Sequence, residues 1–333
     1  MMRVALVGAG KIAAEEHLPA WAGVKDADLT WIVDRDGERA REVAARWGIP
    51  SWSTDLETVV QAGGVDAVDI CSSAFTHVEL VREALAAGWH VLVEKPLAPS
   101  VADASRLCDA ARRAERVLMV AENWPYSFAF RRVQELLHSG DVGRLHSVSV
   151  VHRSGLRRGP VRPDHPVLGH TFIAGSHAVH LMRRVMGDVS QVAGYWHGPS
   201  ARGAEGMVLD AAAEVVFQFQ GGGIGNLHIS SVAWDFGPRQ LFLRLEGALG
   251  QIEFDVLSGR VSITTAAGTR SEQPRQASLG FGEELSVFAH RVRDRGTHAF
   301  VDTDYVQTLA VVEAIYRAFD HGNTEGVRPP TLA

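Results

Sequence analysis

A small set of residues in this 333-residue chain has both the type and the spacing to do chemistry. Gly8-Ala9-Gly10-Lys11-Ile12-Ala13 follows the apolar run at 4–7 and opens a helix. A G-x-G-x-x-A turn in that setting cradles a pyrophosphate. Gly8 allows the tight turn, Gly10 admits the phosphate close to the backbone, and the helix start at Lys11 and Ile12 offers N–H groups to the anion. Asp34 ends the second apolar run, 21 residues beyond Ala13. A carboxylate there can accept hydrogen bonds from ribose hydroxyls and repel a 2′-phosphate, which favours NAD. Arg35 beside it keeps NADP open, because a guanidinium can pair with that phosphate. Further apolar runs lead into Ser72-Ser73 with Thr76-His77, into Glu94-Lys95-Pro96, and into Glu122-Asn123. In open parallel sheets ligands bind beyond the carboxyl ends of the strands, so polar residues at every end point jointly to one site. Gly8, Gly10, Lys11, Ile12, Asp34, Arg35, Ser72, Ser73, His77, Glu94 and Lys95 are the expected cofactor-binding set.

Lys95 carries the most information. It stands between a buried-type strand and a proline that stiffens the chain. Partly desolvated and near a cation, a lysine loses basicity. It can then hydrogen-bond a hydroxyl or carbonyl and assist proton transfer. A surface lysine paired with Glu94 would leave the same local sequence.

These residues need a frame to hold them. The runs at 4–7, 29–33, 67–71, 90–93 and 117–121 are continuous and aliphatic, which suits strands covered on both faces. Helical stretches separate them. Asp36 is placed to cap a helix running to about residue 47, Ser100 to cap 101–113, and Thr76 with Glu79 has capping-box spacing. Strands alternating with such helices predict βαβ units and a parallel sheet. After residue 122 the texture changes to strand-like runs at 145–152, 190–195, 213–219, 224–231, 241–246, 251–254 and 260–264. Helices are expected at 128–138, 171–186, 283–294 and 304–321. That pattern is an antiparallel α+β domain, so the expected division is 1–122 and 123–333.

Composition narrows the function classes. Lys+Arg 33 against Asp+Glu 39 gives a net charge of −6, without the basic excess of a nucleic-acid binder. No stretch approaches the ~18 apolar residues of a membrane span. Lys11 and Glu15-Glu16 interrupt the apolar start, so it reads as a strand rather than a signal peptide, and a cytoplasmic location is expected. Two cysteines make neither a disulfide framework nor a Cys-based zinc site.

The Gly8–Ala13 turn, Asp34 and above all Glu94-Lys95-Pro96-Leu97-Ala98 resemble the Gfo/Idh/MocA oxidoreductases, the glucose–fructose oxidoreductase and inositol dehydrogenase family. Residues 65–70, Thr76-His77 and residues 247–254 extend the resemblance over essentially the whole chain. It implies an α/β fold: an N-terminal Rossmann doubly wound parallel sheet and a C-terminal α+β domain with a large open, mainly antiparallel sheet. It implies NAD(P)-dependent hydride transfer to or from a secondary alcohol or ketone of a sugar, amino sugar or cyclitol. It also implies homo-oligomers, dimers or tetramers, built through the open sheet face.

The family's Asp-x-Gly-x-His-x-x-Asp segment corresponds here to residues 173–180. His177 keeps the catalytic histidine, while Ile173 and His180 replace the two aspartates. The resemblance therefore makes Lys95 and His177 catalytic, with Asn123, Tyr126 and His180 joining them around the substrate. An isoleucine cannot orient an imidazole, so two other readings stay open: a dinucleotide-binding sensor without turnover, and an NAD-dependent glycosidase. No metal is expected. His177 and His180 have spacing for a shared ion, but His170 lies ~10 Å along the helix axis from His177. Arg153, Arg157, Arg158 and Arg162 in the loop before that helix can bind a phosphate or carboxylate, or can simply be solvated. Trp124, Tyr126, Trp196 and Trp234 are candidates to stack on a sugar ring, with core packing as the alternative.

Overall fold

The structure is a computed structural model and describes residues 1–153, 174–197, 212–230, 239–294 and 300–330. The chain forms two compact units. The first comprises Met1–Asn123 together with Phe281–Val306, and the second comprises Trp124–Gly280 together with Gln307–Pro329. The return of residues 281–306 to the first unit leaves no mark in the texture change at residue 122.

Six parallel strands build the first unit: β1 (Met2–Val7), β2 (Ala27–Val33), β3 (Ser51–Ser53), β4 (Ala67–Ile70), β5 (His90–Glu94) and β6 (Leu118–Ala121). Their order is β3-β2-β1-β4-β5-β6. The order reverses between β1 and β4, which opens the crevice where a dinucleotide lies in doubly wound sheets. β4 and β6 are buried along their whole length, as expected for strands covered on both faces. The crossovers carry a widened π-type turn (Ala13–His17) leading into α1 (Leu18–Trp21), then α2 (Gly37–Trp47), α3 (Leu56–Ala62), α4 (His77–Ala86) and α5 (Val101–Ala114).

Two of the expected caps are present. The Asp36 side chain accepts from the Arg39 N–H at 3.1 Å, and Ser100 Oγ accepts from the Asp103 N–H at 3.1 Å. The expected Thr76 capping box does not form. Thr76 already has helical backbone angles, and its hydroxyl hydrogen-bonds the Ser73 carbonyl and Ser72 Oγ, both at 2.8 Å. A local turn wins the hydroxyl from the helix end.

The second unit starts with α6 (Phe128–His138) and β7 (Leu145–Arg153), followed by α7 (Gly175–Met186) and β8 (Val189–His197). The strands β9 (Ala212–Phe219), β10 (Ile224–Ser230), β11 (Gln240–Gly247), β12 (Gly250–Asp255), β13 (Val261–Thr265) and β14 (Gly268–Glu272) continue it. α8 (Phe281–Arg293) belongs to the first unit, and α9 (Thr303–His321) enters the second from Gln307 onward, before β15 (Glu325–Gly326). The sheet order is β14-β13-β12-β11-β7-β10-β9-β8-β15. All neighbours are antiparallel except β7 and β10. Along β9, Ala213, Val215, Phe217 and Phe219 are buried and the residues between them face outward. This period of two gives the sheet one face packed against helices and one open face. Among the described residues no helix is long and apolar enough to cross a membrane.

Candidate active site

The Gly8 turn is dictated by close packing. Gly8 has φ +92°, and a Cβ there would lie 2.6 Å from the Ser72 backbone nitrogen. Only glycine fits where the ends of β1 and β4 approach. Gly10 differs, since a Cβ on it would meet nothing within 4 Å. The backbone therefore has open space beside the helix start, which is the room a pyrophosphate requires. Lys11 is exposed and pairs with Glu15 at 3.6 Å. The turn and the helix opening fit the phosphates of a dinucleotide.

Asp34 sits where the sequence placed it, at the end of β2, and is 8% exposed. Its carboxylate accepts from the Ala9 N–H at 2.8 Å and the Asp36 N–H at 2.9 Å, tying the β1 turn to the β2 end. It also accepts from Arg39 Nε at 3.2 Å and Nη2 at 2.9 Å. That hydrogen bond raises the Arg39 pKa above its ordinary value. Arg35, the cation singled out from the sequence, is exposed. Arg39 is the one joined to Asp34. The spacing i, i+5 across a turn into a helix gives no periodic signal, so sequence inspection passes over it.

Ser72, Ser73 and His77 line the end of β4. His77 is buried; its Nδ1–H donates to the Pro96 carbonyl at 2.8 Å, and Nε2 lies 3.3 Å from the Ser72 carbonyl. Burial lowers its pKa, against the pull of those carbonyls, so the ring is neutral. This residue stitches the β4 end to the turn after β5.

That turn carries Glu94-Lys95-Pro96. Glu94 is buried, and its Oε2 accepts from the Lys95 N–H at 2.9 Å. Lys95 is half-buried, and the Lys95-Pro96 bond is cis. Below Glu94 lies a group the sequence reading missed. His17, fully buried at the end of the π-type turn, reaches Glu94 Oε1 through Nε2 at 3.1 Å and Asp69 Oδ2 through Nδ1 at 2.8 Å. A signal existed: Asp69 and Glu94 stand inside or at the end of apolar strands, and a buried charge demands a partner. Glu122 and Asn123 are buried beyond β6.

In the second unit, His177 is 8% exposed and lies on α7. It stacks on Trp124, with ring centroids 4.1 Å apart and planes 18° apart; Trp124 meets His152 edge-on at 5.7 Å. Trp124 is thus packed against imidazoles, and Trp196 is exposed to 38%. Tyr126 is half-buried in the short turn before α6. His180 turns elsewhere: its Nδ1 is 3.0 Å from Thr308 Oγ1, which also accepts from Arg183 at 2.9 Å. Its ring is held in the buried packing of α7 against α9. Ile173, His170, Trp234 and the loop arginines 157, 158 and 162 lie outside the described residues.

Comparison with known proteins agrees with this geometry. Residues 2–122 match the oxidoreductase family with NAD-binding Rossmann fold, and residues 130–254 match the GFO/IDH/MocA C-terminal domain. The chain is 27% identical to a D-apiose dehydrogenase of Paraburkholderia graminis over 96% of this chain and 88% of that protein. It is 28% identical to a myo-inositol 2-dehydrogenase of Thermotoga maritima over 88% of each. Among solved structures, GenD2 from gentamicin A biosynthesis in complex with NAD superposes with a TM-score of 0.82 at 26% identity, covering 98% of this chain and 96% of that one. The match of both domain models and the strand-end geometry together show that this chain belongs to the GFO/IDH/MocA family of NAD-binding oxidoreductases.

Proposed function

We propose that this protein oxidises a secondary alcohol of a sugar, amino sugar or cyclitol, or reduces the corresponding ketone, with NAD favoured over NADP. The observation that carries the reading is the Glu94-Lys95-Pro96 turn, fixed at the end of β5 in line with the Gly8 turn and Asp34. The named relatives act on D-apiose and myo-inositol, both polyhydroxylated, which supports that substrate class.

When bound, nicotinamide supplies the acceptor or donor of the hydride at its C4. Lys95 hydrogen-bonds the substrate oxygen and takes its proton during oxidation. Glu94 holds the Lys95 backbone, so the side-chain amine starts from a fixed point. Asp34 receives the adenosine ribose, and Gly10 leaves room for the phosphates. His177, placed by the family resemblance, is the proposed partner in proton transfer, with Asn123 and Tyr126 as substrate contacts. His180 retains a supporting role through Thr308.

The open face of the nine-stranded sheet is the proposed homo-oligomer surface. Tyr195, Val216 and Ile224 are 81%, 56% and 65% exposed there, around a depression of about 500 Å³.

The test is NAD reduction at 340 nm with D-apiose, myo-inositol and levoglucosan, alongside fluorescence titration with NADH and NADPH. Substrate-dependent absorbance with tighter NADH binding supports the proposal. Tight NADH binding with no turnover across a broad polyol panel would replace it with a sensor. Cleavage of an aryl glycoside with retained NAD would replace it with a glycosidase.

A further inference from the structure

Beneath the strand ends lies a buried chain of ionisable groups, of which the mechanism above uses only Glu94. His17 is fully buried, as is Asp69, and Glu94 is 8% exposed. Asp69 is held from three sides. Its Oδ2 accepts from His17 Nδ1 at 2.8 Å and Trp21 Nε1 at 2.7 Å, and its Oδ1 from the Cys71 thiol at 3.5 Å. Burial pushes the Cys71 thiol pKa up, so it stays a donor. With every one of these donors aimed at it, Asp69 is the shared acceptor of the cluster. The Phe281 ring covers His17 at 5.8 Å, and Trp21 meets Phe288 edge-on at 6.4 Å, so α8 shuts this pocket from water.

Both ring nitrogens of His17 face carboxylate oxygens. Facing carboxylates, which only accept, both nitrogens act as donors. Glu94 uses one oxygen for His17 and the other for the Lys95 N–H. We propose that His17 is the positioning residue for Lys95: its two ring N–H groups tie Asp69 to Glu94, and Glu94 fixes the backbone that carries the lysine. The chain runs Asp69–His17–Glu94–Lys95, from β4 through the π-type turn to the end of β5. His17 and Asp69, both fully buried, act on the site only through Glu94 and Lys95.

The surrounding charges agree. Burial opposes a charged His17, but the charge and hydrogen bond of Asp69 outweigh it and raise its pKa well above the ordinary value. The other groups facing the ring are Glu94 on β5 and Glu284 on α8. Burial and the nearby Glu94, Glu122 and Asp69 raise the Glu284 pKa well above normal, against the pull of His17. The cluster thus places the His17 imidazole between the Asp69 and Glu94 carboxyl groups, with Glu284 beside them.

This inference rests on Lys95 being the catalytic lysine, so Lys95→Met is measured in parallel. The ring state is read without turnover, by ¹⁵N NMR of histidine-labelled protein. The result expected is a His17 ring with both nitrogens protonated at pH 8; a neutral ring with one bare nitrogen would overturn the proposal. Kinetics are then taken with the fastest of D-apiose, myo-inositol and levoglucosan. His17→Gln is expected to lower kcat about 10- to 100-fold, as a small misplacement of a catalytic group does, while NADH still binds. Asp69→Asn keeps the shape but removes the charge, and it is expected to move the alkaline loss of kcat down by about one pH unit or more. A purely structural role would leave that profile in place. If Lys95→Met is inactive while His17→Gln and Asp69→Asn keep wild-type kcat and pH profile, the positioning role is wrong. If Lys95→Met stays active, the lysine assignment falls first and this inference with it.

Discussion

The Arg39 guanidinium grips Asp34 through two nitrogens, at 3.2 and 2.9 Å, with Arg39 itself 44% exposed at the side chain. The carboxylate proposed to receive the ribose hydroxyls is therefore already joined to a cation that can meet a 2′-phosphate. Arg39→Ala should weaken NADPH binding more than NADH binding. A charge-assisted hydrogen bond is worth roughly 1.5–3 kcal/mol, so the difference should be about tenfold or more. Asp34→Ala should do the opposite. Equal effects on both cofactors in a fluorescence titration would remove this pair from cofactor selection.

The two glycines of the first turn should separate folding from binding. Gly8→Ala places a Cβ against the Ser72 backbone at a left-handed φ, so it should cost roughly 1–3 kcal/mol in strain and lower Tm. Gly10→Ala meets empty space, so Tm should stay close to wild type while NADH affinity falls. Thermal melts and NADH titrations of the two variants check this, and an unchanged NADH affinity in Gly10→Ala would place the phosphates elsewhere.

Lys95→Met should reduce kcat/KM by about 10²–10⁴-fold, the range of a general acid or base, and leave NADH binding within a few-fold. A loss confined to KM would make the lysine a binding group only.

Stability should decline on the alkaline side. His17 binds its proton more tightly folded than unfolded. Its contribution is full below the ordinary histidine pKa near 6.5 and is lost as pH rises through the raised folded value. Glu284 has the same sign: the folded protein favours the protonated acid, and that advantage disappears as pH rises through its raised pKa. Neither Glu284 carboxyl oxygen has a hydrogen-bond partner among the described residues. Glu284→Gln keeps the neutral shape, so its Tm should fall less than that of wild type as pH rises from the ordinary carboxyl pKa near 4.5 toward the alkaline side. Differential scanning fluorimetry across that range would show a parallel decline if Glu284 were ionised throughout.

On the open sheet, Val216→Arg and Ile224→Glu place charges at the centre of an exposed apolar surface. If that face joins copies of the chain, light scattering after size exclusion should show a smaller assembly. An unchanged mass would move the interface elsewhere.

Much of the first unit could be read from the sequence because its signals are local. Continuous aliphatic runs marked the parallel strands, Asp36 and Ser100 marked helix starts, and glycine spacing marked the phosphate turn. Thr76 shows the limit of that reasoning. The same hydroxyl can cap a helix or close the preceding turn, and the choice depends on Ser72 and Ser73 in the folded strand end. His180 shows it again, since helical spacing puts it near His177 while Thr308 on α9 takes its ring.

The amino-acid order by itself determined the alternation of strands and helices, the row of polar strand ends and the Glu94-Lys95-Pro96 turn. Period, capping and turn preference act over a few neighbouring residues, so they can be read along the chain. Only the tertiary structure decided that Arg39 holds Asp34, that residues 281–306 join the first unit, and that His17 joins Asp69 to Glu94. His17 and Glu94 are 77 residues apart in the chain, and what brings them together is the cost of burying a charge without a partner. That cost is set by the packed interior, which exists only once the strands have met.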